Sequence, residues 1–293
     1  MRHFIRIAAA LGLVATTATV CAATPAPVER AYLSSKGVDS APCTLQQPCR
    51  YLPAALSVVE SGGEIWMLDS ANFNSGTVTI SHSVSIAAAP GKLASLTSSG
   101  ASNSAVEISG GAIKVSLRNI IFRKNNGVLD LGAKGIHVTG DGSELIVDES
   151  TFGDGLGMGV SVEATNMQVA IYRSNFTGSA IYATSIGLGT PSVNALIDHC
   201  NLTGLRGPDA NGTAIVAIDS NVVVSHSSIS HSSTGIQPLF GATVVLDDDV
   251  LAYMDIGVDL SSGDSVAKSA GNNAFQFNTS DVTGGSLVPS LRL

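Results

Sequence analysis

The chain has 293 residues, of which 44% are hydrophobic, 5% aromatic and 13% charged, and its formal net charge is −8. An acidic surface without a basic stripe repels phosphate backbones, which excludes nucleic acid as a partner class. Val, Ile, Ser, Thr, Gly and Asn prevail over the Leu, Glu and Lys of helical bundles, so strands and tight turns are expected.

Met1–Ala23 carries Arg2 and Arg6, an apolar run from Ile7 to Val14, and small residues up to Ala22 and Ala23. That is the pattern of a secretory signal peptide, too short to span a bilayer. A lipid anchor would place Cys21 at the cleavage point, but Val20 before it is bulkier than such signals carry. Nothing later is apolar enough for a membrane span. The mature chain is expected to be exported, periplasmic or extracellular, with a net charge of about −10 once both arginines are removed.

Residues 24–30 read as a Pro/Ala linker, and 31–293 as one domain with an N-terminal cap over 31–61. Within the cap, Ala31–Ser35 reads as a short strand. Cys43 and Cys49 are close enough to form a disulfide in an oxidising compartment. Tyr51–Glu60 has helical apolar spacing, with Pro53 tolerable in a first turn. A helix there would cover the open end of the first coil and its unpaired strand edge. Strands are expected over 62–68, 77–86 and 93–97.

From Lys114 one pattern recurs: KVSLRNIIF, ELIVDESTF (from Glu144), QVAIYRSNF (Gln168), NALIDHCNL (Asn194), NVVVSHSSI (Asn221) and TVVLDDDVL (Thr243), with a degenerate SVAKSAGNN at Ser265. Equivalent positions such as Val115, Leu145, Val169, Ala195, Val222 and Val244 lie about 22 to 30 residues apart, and a unit this short buries its apolar face only by stacking on its neighbours. The expected fold is therefore all-β, a single-stranded right-handed parallel β-helix with a short capping helix. Its coils run over about 62–278, followed by a C-terminal cap over about 279–293.

A second strand family begins at Ala105, Gly135, Gly159, Ala180, Ala214, Gly235 and Gly257. Its frequent leading Gly suits a left-handed or cramped corner. Positions two and four face the core, as in Val106 with Ile108, and positions three and five face solvent. The residue before each closing strand is small: Ser150, Ser174, Cys200 and Ser227 align, so Cys200 reads as a buried small side chain.

LSSKGVDSAPCTLQQPCRYLPAAL (Leu33–Leu56) resembles the N-terminal cap of exported bacterial right-handed β-helix repeat proteins, and SAGNNAFQFNTSDVTGG (Ser269–Gly285) resembles their C-terminal end. That family sits in the pectin-lyase-like fold group, and the resemblance implies carbohydrate as the ligand class. Pectate lyases of this fold use clustered acids for calcium and an Arg base, and polygalacturonases use several Asp with Gly-His-Gly and Arg-x-Lys. This chain has neither Gly-His-Gly nor Arg-x-Lys, so no catalytic residue is carried over. Walker, HExxH, GxSxG and CxxC motifs are absent too.

Stacking the second strand family brings Glu107, His137, Ser161, Tyr182, Val216, Gln237 and Asp259 into one outward column, with Glu163 in the next. The extended corners Arg123–Lys134 and Leu202–Thr213 flank this face and bring Arg123, Lys124, Lys134 and Arg206 to it. His137, Glu163, Tyr182, Glu107, Arg123, Lys124 and Arg206 are thus the candidate ligand-binding residues, suited to an acidic sugar or to acid/base work. The plain alternative is a solvated β-face.

A second column, Asn119, Glu149, Arg173, His199, His226 and Asp248, reads as an alternating charge ladder. Its two histidines and Asp248 could hold a metal, but no metal ligand set is assigned. Calcium is considered at Asp247–Asp249 and at Gly153–Gly159. Three neighbouring strand residues cannot converge, and the Gly-rich stretch lacks the tandem copies of a calcium roll.

The expected function is an exported β-helix protein that binds polysaccharide and is non-catalytic or of unknown activity. The alternatives are a polysaccharide lyase or glycoside hydrolase, and a structural or adhesive envelope protein.

Overall fold

A computed structural model describes residues 27–291 except 41, 101–102, 154, 179, 185–191 and 205–211, and gives the backbone alone for 180–184. The signal-peptide segment, Arg206 and the Tyr182 side chain lie outside the described residues, as does part of each of the corners 185–194 and 202–213.

Alternating apolar residues in each short strand leave one face that only the next copy can cover. The described residues accordingly wind into a parallel β-solenoid of three sheets with eleven, eight and nine strands, here called sheets 1, 2 and 3. Sheet 1 contains the recurring strands Lys114–Arg118, Glu144–Asp148, Met167–Tyr172, Val193–Asp198, Ser220–Ser225 and Thr243–Asp247. Its register is the one the repeat implies: Val115, Leu145, Val169, Ala195, Val222 and Val244 follow one another without a slip. Successive strands sit about 4.8 Å apart, so eleven of them make a rod about 48 Å long.

The helix is shorter than its apolar spacing suggested, Leu52–Val58. Val59 and Glu60 instead start the strand Val59–Met67, in which Val59 pairs with Val28 of the parallel strand Val28–Leu33. Leu52, Ala55 and Leu56 of the helix are buried over the end of the core. Cys43 and Cys49 are disulfide-bonded and fully buried.

The core is a set of axial columns. In sheet 2, Leu96, Phe122, Phe152, Phe176, Leu202, Ile229, Leu251 and Phe275 pair in sequence along the axis. The rings of Phe122, Phe152 and Phe176 stack face to face at 4.7 and 4.5 Å, tilted by 7° and 4°. These rings decide between the two reasons expected for the leading glycines, a left-handed or a cramped corner. Gly135 and Gly159 are not left-handed. A Cβ on Gly159 would lie 2.6 Å from the Phe176 ring, and one on Gly135 would lie 2.6 Å from the Gly159 carbonyl. Cramping is the reason for Gly there.

Between sheets 1 and 2 runs a ladder that joins side chain to backbone. Amide N–H groups donate to the corner side chain one coil on: Ile120 to Ser150, Ser150 to Ser174, Cys200 to Ser227, Ser227 to Asp249, and Asp249 to Asn273. The Ser150, Ser174 and Ser227 hydroxyls also donate to the carbonyl two residues back. Cys200 fills the same slot, 3% exposed, and burial pushes its thiol up to about 11. It is a packing residue.

Asp249 accepts the N–H groups of Ser227 and Asp247, yet burial outweighs them and, with Asp247 adjacent, pushes its carboxyl up to about 7.

Two outcomes are expected. Phe152→Ala removes the middle ring of the stack and should destabilise the protein by about 3–5 kcal/mol, read as a lowered urea midpoint. For Asp249, the folded state holds its proton more tightly than the unfolded chain between pH 3.8 and about 7. Its contribution is therefore present below that window and lost as pH rises through it. The melting temperature of Asp249→Asn should fall less with rising pH across this window than that of the parent; an equal slope would remove Asp249 as the titrating group.

Candidate functional site

The stacking places the expected outward column where the repeat put it. Glu107 pairs with His137, His137 with Ser161, Ser161 with Tyr182 and Tyr182 with Val216. Glu163 lies in the neighbouring column, paired with Thr184. His137 Nε2 is 3.3 Å from Glu163 Oε2, Lys134 Nζ is 3.8 Å from Glu163 Oε1, and the Ser161 hydroxyl donates to Glu163 at 2.9 Å. Burial opposes ionisation of Glu163, but Ser161, His137 and Lys134 together outweigh it and hold the carboxyl below its usual range.

This face is less open than alternation implies. Ser161 and Val216 are buried despite their outward positions, and Glu163 folds over Ser161. Its cations are also engaged differently. Lys124 pairs with Asp130 inside the Arg123–Lys134 corner, Lys134 turns to Glu163, and Arg123 is exposed. The structure thus brings His137, Glu163 and Lys134 together and keeps Glu107 in the same column. Lys124 goes to an ion pair of its own.

The outer face of sheet 1 has a more open form. A trough of about 700 Å³ crosses four coils there. Its floor is the outward apolar row Ile146, Ala170, Leu196 and Val223, which pair one above another. One wall is the row Glu144, Gln168, Asn194 and Asn221, with Asn221 donating its side-chain amide to Asn194 at 3.0 Å. The other wall is Tyr172, Asp198 and Ser225. A smaller hollow of about 280 Å³ extends the same face past Ile146 and Asp148 to Arg118 and Trp66. Trp66, Ala87, Arg118, Asp148, Tyr172, Asp198 and Ser225 form a single register row. Two half-buried aromatics, Trp66 and Tyr172, therefore stand four coils apart on one line.

Beside this wall stands the corner column Asn119, Glu149, Arg173, His199, His226 and Asp248. These are not strand residues. All six have left-handed φ, between 44° and 60°. From Asn119 to His226, each donates its N–H to a carbonyl of the next coil at 3.0–3.2 Å. The turn throws each side chain outward at the trough rim. Arg173 Nη2 bonds Asp148 Oδ2 at 2.5 Å, and His199 Nδ1 and His226 Nδ1 face the two oxygens of Asp198 at 2.9 and 3.2 Å. Burial opposes ionisation of Asp198, but His199, Ser225 and His226 outweigh it and hold the carboxyl below its usual range.

The sequence carried the signal for this site in the alternate apolar residues at outward positions of the first strand family, Ile146, Leu196 and Val223. A column of exposed-position aliphatics beside Tyr172 marks a face with a use or a cover.

No family model matches the chain, and no curated protein matches it. Among solved structures the chain is similar to pectate lyase Pel9A at 12% identity, with 88% of this chain and 78% of that one covered and a TM-score of 0.47. It is similar to a pectin methylesterase mutant in complex with a hexasaccharide at 11% identity, covering 89% and 92%, with a TM-score of 0.47. It is similar to a rhamnogalacturonan lyase at 11% identity, covering 78% and 72%, with a TM-score of 0.45.

Proposed function

We propose that the protein is an exported, non-catalytic polysaccharide-binding solenoid whose ligand lies along the sheet 1 trough. The observation that carries this reading is the trough itself: an apolar floor, a wall of side-chain amides and carboxylates repeated at each coil, and Trp66 and Tyr172 on one line. Linear sugars present apolar ring faces and hydroxyls at regular intervals, and such rows match both, the aromatics taking ring faces and the amides taking hydroxyls. Two features support export: the leader-like Met1–Ala23 and a buried disulfide, which suits an oxidising compartment.

The charge on the trough favours a neutral glycan over the acidic sugar expected for the sheet 3 face. Glu144 and Asp198 line it, Asp148 adjoins it, and Arg173 is already paired with Asp148. Binding is also favoured over hydrolysis. Glycoside hydrolysis needs a carboxylic acid that keeps its proton. Asp198 is held ionised by its partners, and Asp249, pushed up to about 7, is buried inside the coil away from the trough.

A glycan array with tag-free protein in EDTA tests this. Neutral polysaccharides should bind, Tyr172→Ala should weaken binding at least about tenfold, and Glu163→Gln should leave it unchanged. Loss in Glu163→Gln with none in Tyr172→Ala would move the site to sheet 3. A blank array would remove the reading.

A further inference from the structure

We infer that Asp198, His199 and His226 form a binding site for a divalent transition-metal ion of the zinc class, at the rim of sheet 1. This inference does not depend on the glycan reading. The three residues come from two adjacent coils, and one potential ligand atom from each lies within 4.8 Å of the others. Asp198 presents one carboxylate oxygen to each imidazole Nδ1, at 2.9 and 3.2 Å. An ion at about 2.0–2.2 Å from each atom needs them no more than about 4.4 Å apart. The rings are nearly parallel, so each must also rotate toward the other to bring its in-plane Nδ1 lone pair onto a shared ion. They are 59% and 47% exposed, so they are free to make these movements.

The backbone builds the pair. His199 and His226 occupy the same left-handed corner position in successive coils, at φ 55° and 50°. That geometry stacks the rings 4.8 Å apart with a tilt of 14°, both Nδ1 atoms turned to one carboxylate. Two stacked imidazoles that share a single ionised acceptor make a donor set of two nitrogens and one oxygen. Such a set selects zinc-like ions over calcium or magnesium, which require oxygen ligands. Three protein ligands also leave a coordination position open to solvent.

A further carboxylate stands nearby. His226 Nε2, the nitrogen that would remain protonated, is 3.8 Å from Asp248 Oδ2. That separation is longer than a hydrogen bond, and closing it would give the carboxylate contact that orients metal-bound histidines. The groups around the pair favour a cation: Asp148, Glu149 and Asp248 are acidic. Arg173 is the neighbouring cation, and its guanidinium is drawn to Asp148 and Glu149. The Ser225 hydroxyl donates to Asp198 Oδ1 at 2.8 Å and fixes the carboxylate. The ladder reading of this column accounts for the alternation of charge. It does not account for two like histidines in consecutive places.

Calorimetric titration of tag-free, EDTA-stripped protein with zinc chloride, without glycan, is the test. One equivalent should bind with a Kd on the order of 1 μM, and calcium chloride should give no heat. His226→Asn and His199→Asn keep a residue that tolerates the left-handed corner, and each should abolish binding while leaving the melting temperature of the apo protein unchanged. Asp248→Asn should weaken zinc about tenfold. His231→Asn, remote from the site, should have no effect. Absence of zinc binding, an equal response to calcium, or full affinity in His226→Asn would each overturn the site, whatever the glycan array shows.

Discussion

The fold rests on one constraint: parallel backbone hydrogen bonding between successive coils at a spacing of about 4.8 Å. Once each coil must lie in register on the last, every position in the repeat becomes a column along the axis, and like stacks on like. The Phe122–Phe152–Phe176 stack, the serine–cysteine–aspartate ladder at Ser150 through Asp249, and the amide pair Asn194–Asn221 are three chemistries obeying one geometry. A ring, a hydroxyl or an amide finds its own kind above and below. The ladder matters most at the corners, where regular strand pairing stops and N–H groups would otherwise lack acceptors.

The same constraint turns a surface into a site. A single outward Leu on a strand has no meaning, but Ile146, Ala170, Leu196 and Val223 in one column make a continuous apolar floor. Likewise, one exposed histidine is unremarkable, whereas His199 and His226 in consecutive coils are placed within reach of one carboxylate. The trough wall and the histidine pair meet at Asp198, so the two candidate sites share a residue and a rim. The corner holds this together. Left-handed φ at six successive coils turns Asn119, Glu149, Arg173, His199, His226 and Asp248 outward beside the strand row that ends in Asp148, Tyr172 and Asp198. Non-glycine residues in that region carry a conformational cost, which the inter-coil N–H bonds of the corner offset.

The sheet 3 face shows how a correct register can still give an incomplete picture. Glu107, His137 and Ser161 do stack, and His137 does meet Glu163. Which side chains reach across the columns depends on their length and partners, and those are not functions of register. Lys134 and Ser161 satisfy Glu163 locally, and Lys124 is absorbed by Asp130, so cations that seemed available to a ligand are engaged within the protein.

The sequence alone determined the solenoid, the register of sheet 1, the burial of Cys200, the disulfide Cys43–Cys49 and the composition of the outward columns. These follow from spacing and alternation, which survive any detail of packing. Only the tertiary structure decided that the corner residues are left-handed, that Gly135 and Gly159 are demanded by cramped packing, that Val59 and Glu60 leave the helix for a strand, and that Asp198 faces two histidines at once. Each depends on distances between coils, and a linear chain specifies which residues become neighbours without specifying how closely, or at what angle, their side chains approach.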